Sequence, residues 1–495
     1  MTPGLDPRAR DLIDAYLDDR VTRRQFVQGA LWLGLTVSGA GALLAGCSSH
    51  TSKPKQLSGR IQVLVGFGAG NSPPQLQVEQ VLAQAFLHLH PKVEIDFLRA
   101  ASPSDARAQI VAMTSRGAAP DLVLPIGLGE LSRLVDQKTW LDLRPFFDRD
   151  GLTLSSFVPE ARAAASMSSY YGRGAKTIVG VPLGVHDHAL AFNQSLFSKA
   201  GGPVPLASWS DASWAVEGSF LQAAQALTLD AAKKHPGDAG FTPSGITQFG
   251  VGHIRPELFL YGFGGRIYDA STRKVQLGSP EAVRGIQFAA DLVNVHHVQP
   301  SPAQLVTLGA RKGNEEQTAW RSAKLAMIAM CSCELTTEWA TDLAFAWTGA
   351  ALPAGPVRRL GLLEVDVGAI AAASTRHDLA WEVLKFFTVD PANERRLSSE
   401  GFGAMPGLSA NTDAFGRDIT QKLPKVSPVP WIAGLSSAYT DDDAWFPAFA
   451  EVKDLMASTF SQILTGTTVP PAMDQLQQQA QAKVDDWFST HKLPG

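Results

Sequence analysis

The run IVGVPLGVHDHALAFNQSLFSKAGG, residues 178–202, decides how the rest of the chain reads. An apolar strand is predicted over residues 178–181, with Pro182 stopping its ladder because proline has no N–H to give. A polar knot follows, His186-Asp187-His188, and then a second apolar segment, residues 189–192, that leads into Asn193. Residues 195–200 read as a short helix ended by Gly201-Gly202. Ionisable side chains between two apolar strands are seldom buried unless they are paired or face a cleft. Either the knot is a surface turn, or the chain crosses here between two lobes beside a bound molecule.

The 495 residues exceed one ordinary domain, and two or three are expected. With 45% hydrophobic and 18% charged residues the composition is that of a globular protein. The net charge of −4 and the lack of a basic stripe exclude a nucleic-acid partner. Three cysteines, Cys47, Cys331 and Cys333, exclude a disulfide scaffold. Cys331 and Cys333 stand two apart, on one face of a predicted strand, where a bridge would be strained. They read as small buried thiols.

The first 46 residues read as an export address. Arg23-Arg24 precedes a charge-free Ala/Gly/Leu-rich run over residues 29–46 that stops at Cys47. The paired arginine with a weakly apolar core is the twin-arginine pattern, and the run lies at the short edge for a membrane span. Thr22-Arg-Arg-Gln-Phe-Val resembles the twin-arginine motif, and Leu44-Ala45-Gly46-Cys47 resembles the bacterial lipobox, in which the cysteine becomes lipidated. The expectation is a signal peptide over 1–46 and a flexible tether over 47–59.

Beyond the tether, strands are predicted at 61–65, 93–98 and 121–124, separated by helices at 74–89 and 105–115. Strand–helix alternation implies a parallel sheet covered by helices. In the first helix Val78, Val81, Leu82, Ala85, Phe86 and Leu89 are expected to face inward. The glycine-rich loop 66–72 invites a dinucleotide reading, but Pro73-Pro74 takes the place of the third glycine and no acidic residue closes the second strand. No cofactor is expected. Further on, Ser279-Pro280-Glu281 marks a helix start, residues 365–372 a strand, 426–431 an extended proline-rich segment, and 471–488 a final helix. That helix buries Met473, Leu476, Ala480, Val484 and Trp487 and leaves Gln477-Gln478-Gln479 to solvent.

Blocks of the body, in order, resemble the family 1 extracellular solute-binding proteins, the sugar-binding components of ABC importers related to maltose-binding protein. The blocks are GVPLGVHDHALAFNQSLFSKAGG, SWAVEGSFLQAAQAL, GGRIYD with SPEAVRGIQFAADLV, WRSAKLAMIAMCSCE, LPAGP and HDLAWEVLKFFT. The resemblance implies an α/β, two-lobed periplasmic-binding-protein-like fold with three interlobe hinge crossings. Lobe 1 would comprise 60–185 and 366–412, and lobe 2 would comprise 186–365 and 413–495. It also implies a carbohydrate ligand, permease subunits as partners, and a lipid-anchored monomer on the outer face of the cell membrane.

The resemblance places ligand contacts at Asn71 and Ser72, unless Ser72 only caps its helix. His186 and Asp187 stand at the crossing, as ligand contacts or as hinge packing. His253 and Arg255 follow an apolar strand, and Arg255 would take a carboxylate or phosphate or else a surface ion pair. Ser332 and Glu334 follow the strand AMIAM, where Cys333 replaces a tryptophan common in the relatives. Trp431 and Trp445 are either stacking platforms or core residues. The histidine pairs lie far apart in sequence without metal-ligand spacing, so no metal is expected. No catalytic motif is present. The alternatives are an orphan ligand sensor or a secreted glycoside-acting hydrolase, with Asp187 and Glu334 as its carboxylate pair.

Overall fold

The computed structural model describes residues 57–67, 72–100, 102–135, 138–165, 177–201, 204–205, 213–252, 254–308, 315–435, 439–440, 446 and 448–490. The expected export segment with Cys47, and Asn71, His253 and Trp445, lie outside the described residues. No described helix is long and apolar enough to cross a membrane.

The chain opens with β1 (Ser58–Val65), α1 (Pro73–Leu89), β2 (Lys92–Arg99), α2 (Pro103–Ser115), β3 (Leu122–Gly127), α3 (Leu128–Arg133) and α4 (Arg144–Asp150). β1 pairs in parallel with both β2 and β3, as the strand–helix alternation predicts. The inward face of α1 is rotated from the expected one. Val81 and Leu89 are exposed, whereas Gln75, Leu76, Glu79, Leu82, Ala83 and Phe86 are buried. Two polar residues, Gln75 and Glu79, belong to the buried stripe, and a count of apolar residues alone misplaces it.

β4 (Val181–Asn193) corrects the reading of the polar knot. It is one continuous, wholly buried strand of 13 residues. Pro182 does not end it. The register to β7 (Leu362–Ile370) slips beside Pro182, so that Gly184 faces Asp366 while Pro182 faces Val367. Such a bulge accommodates a residue that cannot donate to the ladder. β4 pairs with β7 as far as Asp187 and with β8 (Met405–Pro406) at Gly184 and Val185. From His188 onward its partners are β5 (Met327–Cys331) and β6 (Trp347–Ala350). The polar knot therefore marks the place where one strand leaves one set of neighbours for another. Asn193 caps α5 (Gln194–Ala200) through its Oδ1, which accepts from Ser195 and Leu196, and Gly201 ends it with φ 65°.

α6 (Pro256–Gly262) and α7 (Pro280–Asn294) follow, the latter capped by Ser279 with Pro280 at its first turn. α8 (His377–Thr388) buries Trp381, Leu384 and Phe387. α9 (Pro391–Arg395) is capped by Asp390, which accepts from Ala392 and Asn393 at 3.0 Å each. Residues 426–431 are not extended: they run into α10 (Val429–Gly434). There Trp431 is 1% exposed and donates Nε1–H to the carbonyl of Met330 at 3.0 Å. Its indole lies against Gly349 of β6, where a methyl group would overlap the ring. Trp431 is thus a core residue, its one polar atom satisfied.

The chain ends in α11 (Phe449–Leu464) and α12 (Val469–Thr490). α12 buries Met473, Leu476, Ala480, Val484 and Trp487, the expected face. Its glutamines are not merely solvated. Gln477 accepts from the Gly278 N–H at 2.8 Å and donates to the Val275 carbonyl at 2.6 Å, and Gln481 accepts from the Val275 N–H at 2.9 Å.

Asp150 joins α4 to α8. It accepts from Arg149 Nε at 2.9 Å, Lys385 Nζ at 2.5 Å and Trp381 Nε1 at 2.8 Å. Burial would raise its carboxyl, but these donors outweigh burial and hold it at about 2, below the ordinary 3.8. A depressed folded-state value contributes stability that is present above pH 3.8 and is lost as the pH falls through 2. Asp150→Asn is expected to cost about 1–2 kcal/mol at pH 7, discounted for partial exposure, with the gap to wild type closing between about pH 4 and 2. Urea denaturation across that range checks it. Gly349→Ala is expected to destabilise by about 1–3 kcal/mol by overpacking against Trp431, read as a lower melting temperature.

Candidate functional site

Beside the β4 crossing lies a cleft with a volume of ≈ 760 Å³. Its floor is made by the facing strands β4 and β7. His186, on β4, and Glu364 and Asp366, on β7, all open onto it. One wall comes from the ends of β1 and β3 and the starts of α1 and α3, with Phe67, Ser72, Gln75, Gly127 and Glu130. A second wall is built by Arg255, Glu334, Glu338 and Trp339, and Phe449 and Lys453 of α11 also line the cleft, Phe449 beside Gly129. Sites at the carboxyl ends of strands in an α/β sheet are the usual place for a small ligand.

The floor is a row of paired charges. His186 Nε2 lies 3.0 Å from Asp366 Oδ2. Burial works against the imidazolium, but the adjacent Asp366 carboxylate outweighs it and holds His186 well above its usual range. Arg255 Nη1 lies 3.0 Å from Glu364 Oε1. Burial would raise Glu364, but Arg255 and then His188 bring it down to about 2. His188 lies 3.9 Å from the same carboxylate, and burial drives it down to about 4, so it is neutral at physiological pH. The two ion pairs, His186 with Asp366 and Arg255 with Glu364, cancel.

Ser72 lines the cleft at the head of α1, and its N–H donates to Gln75 Oε1 at 3.3 Å. Glu334 also lines it and accepts from the Cys331 N–H at 3.0 Å; burial pushes its carboxyl up to about 8. Ser332 is buried just behind the floor, with Oγ 3.5 Å from His186 Nδ1. Asp187 is one residue from His186 on the strand and so projects to the other face. It does not line the cleft, neither carboxylate oxygen has a side-chain hydrogen-bond partner among the described residues, and burial holds it well above the ordinary carboxylate range. The hydrolase pair of Asp187 and Glu334 is therefore not assembled across one space, since only Glu334 reaches the cleft. Trp431 lies in the core.

Glu364, Asp366 and Trp339 were not singled out by the sequence reading. The signal for the first two is present in Leu362-Leu363-Glu364-Val365-Asp366-Val367, where acids alternate with apolar residues inside a strand. The strand predicted over 365–372 starts one residue too late to include Glu364, and Asp366 falls at the expected lobe boundary. Trp339 comes six residues after Cys333, which stands where the resemblance places a tryptophan.

The model of the bacterial extracellular solute-binding proteins matches residues 69–394, well over half of the chain. Among solved structures, an ABC substrate-binding protein from Listeria monocytogenes in complex with cycloalternan is similar at 16% identity and a TM-score of 0.67, covering 88% of this chain and 100% of that one. UgpB from Mycobacterium tuberculosis in complex with glycerophosphocholine is similar at 18% identity and 0.67, covering 87% and 99%. Maltose-bound MalE3 from T. maritima is similar at 19% and 0.63, covering 86% and 99%. The fold is that of the two-lobed periplasmic binding proteins, and these relatives are binding proteins rather than enzymes. On the match to its family model, the chain belongs to the bacterial extracellular solute-binding proteins.

Proposed function

We propose that this protein is the lipid-anchored substrate-binding component of an ABC importer, taking a carbohydrate, or a related polyol or glycerophospho compound, into the cleft above β4 and β7. The observation that carries this reading is the floor itself: paired charges that sum to zero, rich in hydrogen-bonding groups, beside one half-buried indole. Hydroxyl groups both donate and accept, and they suit a row of fixed carboxylates and guanidinium better than a net-charged ligand does. Trp339 offers the flat face that a pyranose stacks on. The ligands named for the similar structures, cycloalternan, maltose and glycerophosphocholine, fall within that range.

On this reading His186 and Arg255 contact the ligand from the floor, Ser72 and Glu334 from the walls, and Ser332 supports His186. Asn71, His253 and Trp445 remain candidate contacts on the strength of the resemblance alone. Lobe 1 would comprise 60–185 and 366–412, and lobe 2 would comprise 186–365 and 413–495, with the chain crossing between them three times. Closure on the ligand would present one docking-competent state to the permease. Twin-arginine export and acylation of Cys47 would hold a monomer at the outer face of the membrane.

A thermal-shift screen of mono-, di- and oligosaccharides and glycerol phosphates should find a compound that raises the melting temperature in proportion to its affinity. Trp339→Ala should then weaken binding of that compound about tenfold, roughly the worth of one stacked ring, by calorimetric titration. Turnover of a glycoside to product, or unchanged affinity in the variant, would sink the stacking role or the binder reading. Separately, Cys47→Ser should move the exported protein from the membrane fraction to the soluble one; retention on the membrane would remove the lipid anchor.

A further inference from the structure

The cleft floor carries a second grouping of side chains, which shares His186 with the proposed ligand contacts and adds two thiols. His186 and His188 are two apart on β4, so both project to the same side. β5 ends with Cys331 in register with His188. The tight turn Ser332–Thr336 then carries Cys333 back over the strand end, where its N–H meets Cys331 Sγ at 3.3 Å. One donor atom each from His186, Cys331 and Cys333 lies within 4.8 Å of the other two. The same holds for His188, Cys331 and Glu364. Three segments distant in sequence thus bring two imidazoles, two free thiols and a carboxylate to one spot.

We propose that His186, Cys331 and Cys333 form a binding site for a thiophilic divalent cation of the zinc type, with His188 and Glu364 flanking it. A tetrahedral zinc with Zn–S near 2.3 Å and Zn–N near 2.0 Å keeps its donors about 3.3–3.8 Å apart, so the three donors need to draw together by at most about 1.5 Å. The imidazole is oriented for the task. Nε2 is committed to Asp366 at 3.0 Å, which leaves Nδ1 on the side of Ser332 and the thiols. A carboxylate behind a ligating histidine fixes its tautomer and ring angle in known metal sites. Cys331 is buried, yet it lines the cleft together with Cys333, His186 and Glu364, which supplies a path of entry. Glu364 is held by Arg255, so the primary ligands are the histidine and the two cysteines. Metal entry displaces the proton from Nδ1 and one from each thiol. The fourth coordination position faces the cleft, where water or a solute oxygen completes the tetrahedron.

The test uses the reduced, chelator-stripped mature protein and Co²⁺ as a spectroscopic stand-in for Zn²⁺. The expected result is a saturable thiolate-to-cobalt charge-transfer band that Zn²⁺ abolishes. Cys333→Ser, a half-buried site whose replacement should leave the melting temperature of the metal-free protein near wild type, removes the band. Asp366→Asn keeps every donor atom and should weaken Zn²⁺ binding about 10–100-fold. Absence of the band in the wild type, or its persistence in Cys333→Ser, overturns the proposal. So does thiol trapping that finds Cys331 and Cys333 joined to each other in protein taken from the cell envelope. None of these readouts needs a sugar, so failure here and failure of the carbohydrate reading are separable.

Discussion

One strand hydrogen-bonds to two sets of neighbours, and the rest of the molecule is arranged around that fact. β4 can be continuous only if its partners change along its length, and at the change the ladder has a gap on one side. Backbone groups must be satisfied on both sides of the gap, so the strands that supply them, β7 on one side and β5 with β6 on the other, are pinned to a single residue boundary. A cleft follows as a geometric consequence. Elements belonging to different partner sets diverge above the boundary, and the side chains between them face open space.

That boundary also explains the chemistry of the floor. Histidines, acids and an arginine would be costly in a core, since isolated charge is not tolerated in low dielectric. Here each charge finds an opposite one on a neighbouring element, His186 of β4 with Asp366 of β7, and Glu364 of β7 with Arg255 at the head of α6. The first pair lies across β4 and β7, and the second ties β7 to the head of α6. Their separation in sequence is 180 residues for the first and 109 for the second. Such pairs specify register: a slip of one residue would send the acids of β7 to the far face and leave His186 facing apolar side chains.

Much of this was legible from the chain alone. The parallel strands, the cap at Ser279, the stop at Gly201, the buried stripe of the last helix and the special status of residues 186–188 all follow from local rules. Local rules failed where tertiary partners overrode them. Pro182 should end a ladder, yet a bulge opposite it lets β4 continue. Trp431 had the size and position of a stacking platform, yet the gap above Gly349 made it core. Glu364 and Asp366 were missed because their meaning lies in partners far away in the chain. The glutamines of α12 read as solvated because a polar residue on a helix surface gives no local sign of backbone it will meet.

Those glutamines bear on how the molecule is assembled in time. Backbone groups at Val275 and Gly278 wait for side chains some 199–206 positions later. Contacts of such separation are reached only after a large loss of chain freedom and tend to form late. A chain still emerging from the ribosome has already made residues 274–278 but not their keeper. Until residues 469–490 arrive, that edge is an unfinished seam. Synthesis of the final helix is therefore the step that lets the second half of the molecule close over its own core.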